Sequence, residues 1–306
     1  MTRRPHDRVT ARAPAKVNLC LAVGPLREDG FHELQTVFHA VGLFDELDVE
    51  RAPALTLTVT GEGASEVPTD STNLAARAVA ALAAATGQDP GVALTLRKGI
   101  PVAGGMAGGS ADAAAALVAC DALWGTGLGR DELSDVAAQL GSDVPFSLHG
   151  GTALGTGRGE RLTPVLGQGE FSWVLALADG GLSTPDVYGE LDRQRATGPV
   201  GVALDPSGVL AALRSGDPVL LGRALCNDLQ EPALALRPAL RLLLDAGSEH
   251  GALGAVVSGS GPTCAFLCRD TAAAVALAAV LSGLGVCRTV RRADGPVPGA
   301  RVVSTS

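Results

Sequence analysis

The pattern of hydrophobic and polar residues along the chain changes several times between the period of a strand and that of a helix. The stretch Leu55–Val59 alternates apolar and polar residues with a period of two, which is typical of a half-buried strand. The stretch Ala111–Trp124 instead repeats apolar residues at helical spacing, which predicts a helix with one buried face. The same two patterns predict an ordered series of strands and helices along the whole chain.

The predicted strands are Val9–Val23, Phe31–Leu43, Leu55–Val59, Val92–Leu96, Phe171–Ala178, Ala255–Val257, Thr263–Cys268 and Val286–Arg291. The predicted helices are Thr72–Thr86, Ala111–Trp124, Arg130–Leu140, Pro185–Arg195, Ser207–Leu213, Pro218–Leu225, Pro238–Ala246 and Thr271–Leu284. Asp70 or Ser71 is the expected N-cap of the first helix. Strands and helices mix without a regular βαβ alternation, which favours an α+β fold over a doubly wound sheet.

The length of 306 residues favours two domains of ordinary size. A stretch rich in glycine and proline near residues 160–170 is the best candidate for the boundary between them. We therefore predict an N-terminal domain of residues 1–165 and a C-terminal domain of residues 166–306.

The formal net charge of −8 argues against nucleic acid or an anionic membrane as the main partner, because both favour a basic surface. An acidic protein can still bind a polyanion such as ATP, provided that backbone N–H groups and a few cations are concentrated locally. The N-terminus lacks the apolar core of a signal peptide, and the six cysteines are scattered as in a protein of a reducing compartment. We therefore expect a cytoplasmic protein with a local phosphate-binding site.

A glycine-rich segment, called here the phosphate loop, is the strongest chemical signal in the sequence. Its residues are Pro101, Val102, Ala103, Gly104, Gly105, Met106, Ala107, Gly108, Gly109, Ser110 and Ala111. Glycines let backbone N–H groups converge on one point, and the following helix adds unpaired N–H groups and the positive end of its dipole. Ser110 can cap that helix or offer its hydroxyl to a phosphate or Mg²⁺. The segment is neither a Walker A motif nor a dinucleotide-binding motif, yet it predicts a phosphate-binding loop.

Other clusters are ambiguous when each is taken alone. Asp143 fits either an ordinary N-cap or a functional carboxylate. Lys16, in the apolar first strand, fits either an edge residue whose ammonium reaches solvent or one partner of a functional ion pair. Only Lys16 and Lys98 are lysines among the 24 basic residues, which indicates that these positions need a compact ammonium group. Val257–Thr263 is a second glycine loop between two predicted strands.

Taken together, these clusters resemble the GHMP kinase superfamily, which includes galacto-, homoserine, mevalonate and phosphomevalonate kinases. The matching segments are Pro14–Leu19, Arg27–Phe38, Pro101–Ala111, Leu140–Pro145 and Ser258–Pro262. The resemblance implies a two-domain α+β fold with the active site in the cleft between the domains, ATP as phosphoryl donor, and Mg²⁺. The D-G-F-H segment is similar to that of members whose small-molecule substrate, a methylerythritol bearing a cytidine diphosphate, is phosphorylated at its C2 hydroxyl on the non-mevalonate route to isoprenoids.

The resemblance also implies catalytic and nucleotide-binding residues. Lys16 and Asp143 match the catalytic pair, in which the aspartate accepts the proton of the alcohol and the lysine offsets charge on the phosphoryl oxygens. The phosphate loop matches the segment that binds the ATP phosphates. Lys98 and Asn73 match positions on the nucleotide side.

Four positions match the substrate side of the family: Asn18, Phe31, His32 and Tyr188. His32 is expected beside the cytosine, and Phe31 and Tyr188 are expected to stack on it. The chain departs from the family pattern at Phe31, where tyrosine is usual, but phenylalanine keeps the stacking face. It also has Ala107 and Ala111 where glycine and serine are more usual. Ala107 is expected to keep a negative φ unless the backbone is strained.

Two other readings remain open on the sequence. A GHMP kinase for a mevalonate- or homoserine-like substrate would not need Phe31, His32 or a second aromatic residue near Tyr188. A ligand-sensing protein built on a kinase fold would be expected to lose Lys16 or Asp143, and this chain has both. The metal ligands and the oligomeric state are not predicted from the sequence.

Overall fold

The computed structural model describes residues 7–197 and 205–306 of the chain. Its strands are β1 (Arg8–Leu26), β2 (His32–Arg51), β3 (Thr56–Gly61), β4 (Val92–Lys98), β5 (Thr152–Gly157), β6 (Arg161–Pro164), β7 (Phe171–Leu177), β8 (Cys226–Asn227), β9 (Gly254–Val257), β10 (Cys264–Cys268), β11 (Thr289–Gly295) and β12 (Arg301–Thr305). Its helices are α1 (Leu74–Thr86), α2 (Gly108–Trp124), α3 (Arg130–Leu140), α4 (Val144–His149), α5 (Thr184–Thr197), α6 (Ser207–Ser215), α7 (Pro218–Ala224), α8 (Gln230–Leu236), α9 (Ala239–Glu249) and α10 (Thr271–Leu284).

The strands form two sheets. The first has eight strands, with the order β12-β1-β2-β4-β3, and with β5 and β6 continuing from β2 and β8 pairing with β1. Its long strands β1 and β2 pair antiparallel along nearly their whole length, whereas β3 runs parallel to β4 and β8 runs parallel to β1. The second sheet has four antiparallel strands in the order β11-β7-β10-β9.

Helices α1 to α4 belong to the N-terminal half, and α2 packs against β1 and β2. Alternate residues of β1, such as Ala11, Ala13 and Ala15, are completely buried. Alanine is the commonest residue of helix α2, which is buried along most of its length. Small side chains let this helix, the sheet and α1 approach one another closely, as close packing of the interior requires. The start of α2 is thereby fixed beside β1.

The second sheet connects the two halves through β7, whose residues are all buried. Trp173 and Leu175 belong to the same core as the first sheet and α2, whereas Val174 and Ala176 face a second core that includes residues of α9 and α10. Because successive residues of a strand point to opposite faces, β7 contributes to both cores.

The α+β class expected from the pattern is confirmed by this arrangement. Some boundaries were predicted wrongly. Helix α1 begins at Leu74 with Asn73 as N-cap, whose side chain accepts a hydrogen bond from the N–H of Ala75 at 2.8 Å. Asp70, an expected cap, instead accepts hydrogen bonds from Thr72 within the preceding turn.

Several elements were not predicted: β5, β6, β8, β12 and α8. Helix α4 was expected only if Asp143 is an N-cap, which it is. Strand β5 shows the reason for the missed elements, because its sequence is rich in glycine, which is uncommon in strands. A Cβ on Gly155 would lie 2.7 Å from the ring of Phe38. The glycine therefore serves close packing of a ring against a strand, which the local pattern does not reveal.

The predicted domain boundary at residue 165 falls between β6 and β7. Strands β8 and β12 follow that point in the sequence, yet both pair with β1 in the first sheet. The first sheet thus includes strands from both sides of the predicted boundary, and the boundary stays a prediction.

Within residues 7–197 and 205–306, no helix combines the length and apolar composition that a membrane-spanning segment needs. The expected cytoplasmic location stays a prediction.

Candidate active site

A cavity of about 960 Å³ lies between the two halves. Its walls come from β1 and β2, the N-terminal end of α1, the phosphate loop, the first part of α5 and the second glycine loop. A cavity of this size can enclose much of a small-molecule ligand.

The phosphate loop rests on the second glycine loop, Val257–Thr263. Gly105 has φ +75°, and a Cβ there would lie 2.1 Å from the carbonyl oxygen of Ser258, so no larger residue fits. The Ser258 hydroxyl donates a hydrogen bond to the carbonyl oxygen of Gly105 at 3.1 Å. From behind, the Asn227 amide donates to the carbonyl oxygens of Val257 at 2.8 Å and Gly259 at 2.7 Å. The second glycine loop therefore supports the first.

The phosphate loop contains two alanines in the left-handed backbone region, with φ +52° at Ala103 and +59° at Ala107. The expectation of a negative φ at Ala107 is wrong, and the strained alternative is present. Left-handed conformations cost L-residues about 1–2 kcal/mol, and such strain concentrates at ligand sites. Ala107 is also the N-cap of α2 and provides no capping side chain. The N–H groups at the start of a helix ordinarily lack intrahelical partners, so this end of α2 suits an anion.

Lys16 and Asp143 come together at the cavity. The Lys16 ammonium lies 3.8 Å from Oδ2 of Asp143 and donates a hydrogen bond to Oδ1 of Asn18 at 2.6 Å. Asn18 in turn donates to the hydroxyl of Thr36 at 2.7 Å. Asp143 is the N-cap of α4, but its side chain makes no capping hydrogen bond. Burial lowers the pKa of Lys16, and the Asp143 carboxylate opposes this lowering.

The second lysine, Lys98, lies in a buried charge cluster beside the phosphate loop. Its ammonium donates to Asp45 at 2.5 Å and to Asp112 at 2.8 Å. Asp45 also accepts the N–H groups of Gly99 and Ile100, which fixes the end of β4. Burial acts to lower the pKa of Lys98, but the carboxylates of Asp112 and Asp45 outweigh it and raise that pKa. Burial, together with the charge of Asp45, raises the pKa of Asp112.

Asn73 and Lys98 both line the cavity, but their polar groups already have partners inside the protein. The Asn73 side chain caps α1 and donates to the carbonyl oxygen of Pro68 at 2.8 Å. These two residues thus shape the wall beside the phosphate loop, and a direct contact with the nucleotide stays a prediction.

The residues expected to bind cytosine form another part of the cavity wall, called here the base pocket: Phe31, His32 and Tyr188. The rings of His32 and Tyr188 lie 5.1 Å apart at an angle of 30°. Phe31 is 49% exposed, and the guanidinium of Arg158 lies 4.9 Å from its ring centre. Nε2 of His32 lies 2.9 Å from Oδ1 of Asp192. Burial raises the pKa of Tyr188 above its ordinary range.

All the predicted site residues line the cavity except Met106 and Ala111, whose side chains are completely buried in the core. Met106 contributes through its backbone, because its carbonyl oxygen accepts the N–H of Lys16 at 3.2 Å. The N–H of Ala111 bonds to the carbonyl oxygen of Ala107 within the first turn of α2. A binding role for these two side chains is therefore not supported.

Sequence reasoning missed several polar residues of the site, among them Asp45, Asp112, Arg158 and Asp192. Asp112 carried a usable signal, since it is the one charged residue in an alanine run directly after the phosphate loop. Asp192 lies one helical turn beyond Tyr188 on α5, which could have indicated a shared face. Asp45 and Arg158 reach the site through contacts between distant segments, which the local pattern does not contain.

Comparison with known proteins identifies the fold. Residues 73–151 match the family "GHMP kinases N terminal domain", and residues 209–285 match "GHMP kinases C terminal". The structure of homoserine kinase from Cytophaga hutchinsonii superposes with a TM-score of 0.78, covering 99% of both chains at 20% identity. The fold and the cleft are thus those of a GHMP kinase.

Relatives with higher sequence identity indicate which family of GHMP kinases the chain belongs to. The 4-diphosphocytidyl-2-C-methyl-D-erythritol kinase of Nocardia farcinica is 62% identical over 295 residues, which cover 96% of each chain. A crystal structure of 4-(cytidine 5'-diphospho)-2C-methyl-D-erythritol kinase superposes with a TM-score of 0.76 at 34% identity, covering 93% of this chain and 98% of that one. The chain belongs to the 4-diphosphocytidyl-2-C-methyl-D-erythritol kinase family of GHMP kinases.

Proposed function

We propose that this protein transfers the γ-phosphoryl group of ATP to the C2 hydroxyl of 4-diphosphocytidyl-2-C-methyl-D-erythritol, forming the 2-phosphate and ADP on the non-mevalonate route to isoprenoid precursors. The observation that carries the proposal is the content of one cavity. The phosphate loop, the Lys16–Asp143 pair and the base pocket all line it. A phosphoryl donor and a cytidine-bearing acceptor can therefore meet at the same pair of charged residues.

Asp143 is the proposed base. Its carboxylate takes the proton from the C2 hydroxyl while the hydroxyl oxygen attacks the γ-phosphorus. The new phosphorus–oxygen bond forms as the bond from that phosphorus to the bridging oxygen of ADP breaks, so ADP leaves with the bridging electrons. Two features leave the carboxylate available: its side chain makes no capping hydrogen bond to α4, and its nearest cation, Lys16, is 3.8 Å away.

Lys16 is proposed to stabilise the charge on the phosphoryl oxygens during transfer. Its ammonium is held by Asn18 at 2.6 Å, while Gly259 leaves room beside it, since a Cβ there would lie 3.2 Å from Nζ. An ammonium fixed in a buried site needs little reorganisation when charge develops next to it.

The phosphate loop is proposed to bind the triphosphate through backbone N–H groups and the start of α2. This mode explains how a chain of net charge −8 can bind a polyanion. Lys98 contributes a positive charge that Asp45 and Asp112 already neutralise, so we assign it to holding the loop against β4.

Mg²⁺ is proposed to enter with ATP. In the described ranges, no group of three or more His, Cys, Asp or Glu side chains could hold a metal ion. Mg²⁺ is commonly held by one or two carboxylates together with phosphates and waters. The site fits that mode, because the Ser110 hydroxyl and the Asp112 carboxylate line the cavity, and Oδ1 of Asp112 has no hydrogen-bond partner among the described residues. Bound there, Mg²⁺ would neutralise charge on the phosphates.

Two alternatives are less well supported by the site. A mevalonate- or homoserine-like substrate would leave Phe31, His32 and Tyr188 without a ligand, although they line the same cavity. A ligand-sensing protein without catalysis would not require the Lys16–Asp143 pair.

A phosphoryl-transfer assay with ATP and three acceptors tests the proposal. We expect ADP release with 4-diphosphocytidyl-2-C-methyl-D-erythritol, and at least about a hundredfold lower kcat/KM with mevalonate and homoserine, because only the first acceptor can fill the base pocket. Comparable turnover of mevalonate or homoserine would contradict the assignment. The absence of turnover with every acceptor would favour the ligand-sensing alternative.

A further inference from the structure

We propose that Asp192 is a positioning residue that sets which base the cavity accepts, because it fixes the tautomer of His32. The inference rests on the proposed function, since it concerns how the base of a cytidine-bearing substrate is selected. The interaction that carries it is the hydrogen bond of 2.9 Å between Nε2 of His32 and Oδ1 of Asp192.

The chemistry of the pair determines which ring nitrogen carries the proton. An ionised aspartate can only accept hydrogen bonds, so the Nε2 that faces Asp192 must be the protonated nitrogen. In the neutral imidazole, Nδ1 is then left with a lone pair and can only accept. Among the described residues Nδ1 has no hydrogen-bond partner, while the imidazole lines the cavity and is 7% exposed. Nδ1 is thus the ring nitrogen available to a ligand.

One face of α5 holds this arrangement against the N-terminal half. Tyr188, Asp192 and Arg195 recur along α5 at helical spacing. Tyr188 packs its ring on His32. Arg195 donates to the carbonyl oxygen of Val23 at 2.7 Å and lies 3.4 Å from a carboxylate oxygen of Asp228. Asp192 lies between these two anchored residues, so its position relative to His32 is fixed from both sides.

The lone pair on Nδ1 of His32 can distinguish cytosine from uracil, which stacking alone cannot do. Cytosine presents an exocyclic amine that donates hydrogen bonds, whereas uracil presents a carbonyl oxygen at the same ring position. Aromatic side chains such as Phe31 and Tyr188 stack on either base, because every base has a π face. With Asp192 in place, Nδ1 of His32 attracts the amine and repels the carbonyl oxygen. Without it, the imidazole can take the other tautomer, and this distinction weakens.

The Asp192 side chain is 44% exposed, and substitutions of exposed side chains ordinarily change stability little. Its removal should therefore leave the fold intact, which makes substitution a clean test. A matched control is Asp186, an exposed carboxylate on the same helix that does not line the cavity.

The experiment measures equilibrium binding of cytidine diphosphate and uridine diphosphate to the full chain by calorimetry. We expect the unaltered protein to prefer cytidine diphosphate by at least about tenfold, the scale of a specific polar contact. Asp192→Ala should weaken the binding of cytidine diphosphate by about tenfold or more and change the affinity for uridine diphosphate by less than about threefold. Asp192→Asn keeps an acceptor oxygen of the same reach, but its NH2 group can also bond the other tautomer, so it should recover only part of the affinity for cytidine diphosphate. Asp186→Ala should match the unaltered protein.

An Asp192→Ala variant that keeps the full preference for cytidine diphosphate would overturn the inference. An equal loss of affinity for both diphosphates would also overturn the inference, because it would indicate that Asp192 has a general structural role. Binding of the two diphosphates does not depend on phosphoryl transfer, so these outcomes are separate from the acceptor assay that tests the proposed function.

Discussion

Among individual residues, Lys16 and Lys98 show how different surroundings give two buried lysines opposite pKa shifts. Both are almost completely buried. Burial lowers the pKa of Lys16, whose one acidic neighbour lies at 3.8 Å, whereas two carboxylates raise the pKa of Lys98. Lys16 can therefore still bind an anionic group, whereas the charge of Lys98 is already neutralised by Asp45 and Asp112. This difference is the physical basis for assigning one lysine to phosphoryl transfer and the other to the support of the loop.

His39 provides a prediction at the same scale. It is completely buried where β2 meets β5, with Nδ1 2.9 Å from the hydroxyl of Thr152 and its ring beside Phe171 and Trp173. Burial lowers its pKa from 6.5 to about 4. The unfolded chain thus binds a proton between these pH values that the folded protein does not. The contribution of His39 to the free energy of unfolding is fully present above pH 6.5. About 3 kcal/mol should be lost as the pH falls to about 4.

Urea unfolding of the unaltered protein and of His39→Gln over this pH range checks the prediction. The glutamine variant should lose less stability between pH 6.5 and pH 4, because it has no imidazole to protonate. The control His250→Gln, at an exposed position, should follow the unaltered protein. Identical pH dependence for all three proteins would show that His39 does not govern acid stability.

At the scale of elements, the phosphate loop and α2 form one unit. The loop is fixed by the second glycine loop on one side, and α2 is fixed by its buried alanines on the other. Ala107 connects them in a left-handed conformation with φ +59°. A ligand-binding segment held in this way is preorganised, at the cost of local strain.

This strain predicts that Ala107→Gly stabilises the protein. Relief of the left-handed strain should raise the free energy of unfolding by about 1–2 kcal/mol. Glycine also makes the unfolded chain more flexible, which lowers the free energy of unfolding by about 0.4–1 kcal/mol. The net effect should be a stabilisation of up to about 1.6 kcal/mol in chemical unfolding. Ala80→Gly is the matched control, since Ala80 is exposed within α1, and it should destabilise by about 0.5–1 kcal/mol. Destabilisation by both substitutions would mean that Ala107 is not strained.

Elements also show how far the sequence could predict the structure. Both ends of α10, Thr271–Leu284, agree with the prediction, because Asp270 caps a continuous apolar run that stops at Gly285. Strand β12 has no such local signal, and its pairing with β1 joins residues nearly a whole chain apart, as in Val9 with Thr305. Pairing of this kind depends on tertiary packing, which overrides local preference.

The same division applies to the site. The phosphate loop was predictable because its chemistry lies in one continuous segment. The pairing of Lys16 with Asp143 followed from a family resemblance, and the structure brings the two groups to 3.8 Å. The salt bridges of Lys98 to Asp45 and Asp112 were not predicted, because three separate segments supply them. Buried charges of this kind are visible only when the tertiary structure pairs them.

In the whole molecule, the candidate site residues belong to two halves that share a core. Strand β7 contributes to both cores, and β8 and β12 join the first sheet from the second half of the sequence. The cavity between the halves collects the phosphate loop and the Lys16–Asp143 pair from the N-terminal half and Tyr188 from α5. This architecture places the phosphate loop, the Lys16–Asp143 pair and the base pocket in one cavity, and the proposed kinase function depends on this arrangement.

The most direct test is a single-turnover measurement with Asp143→Asn. With ATP and 4-diphosphocytidyl-2-C-methyl-D-erythritol bound at saturation, phosphoryl transfer should slow by at least about a hundredfold, the scale of a positioned base. The dissociation constant for ATP should hardly change, because asparagine has nearly the same shape as aspartate and the phosphate loop is untouched. Asp135→Asn, at an exposed site on α3, should transfer at the rate of the unaltered protein. Transfer by Asp143→Asn at a rate close to that of the unaltered protein would contradict the account.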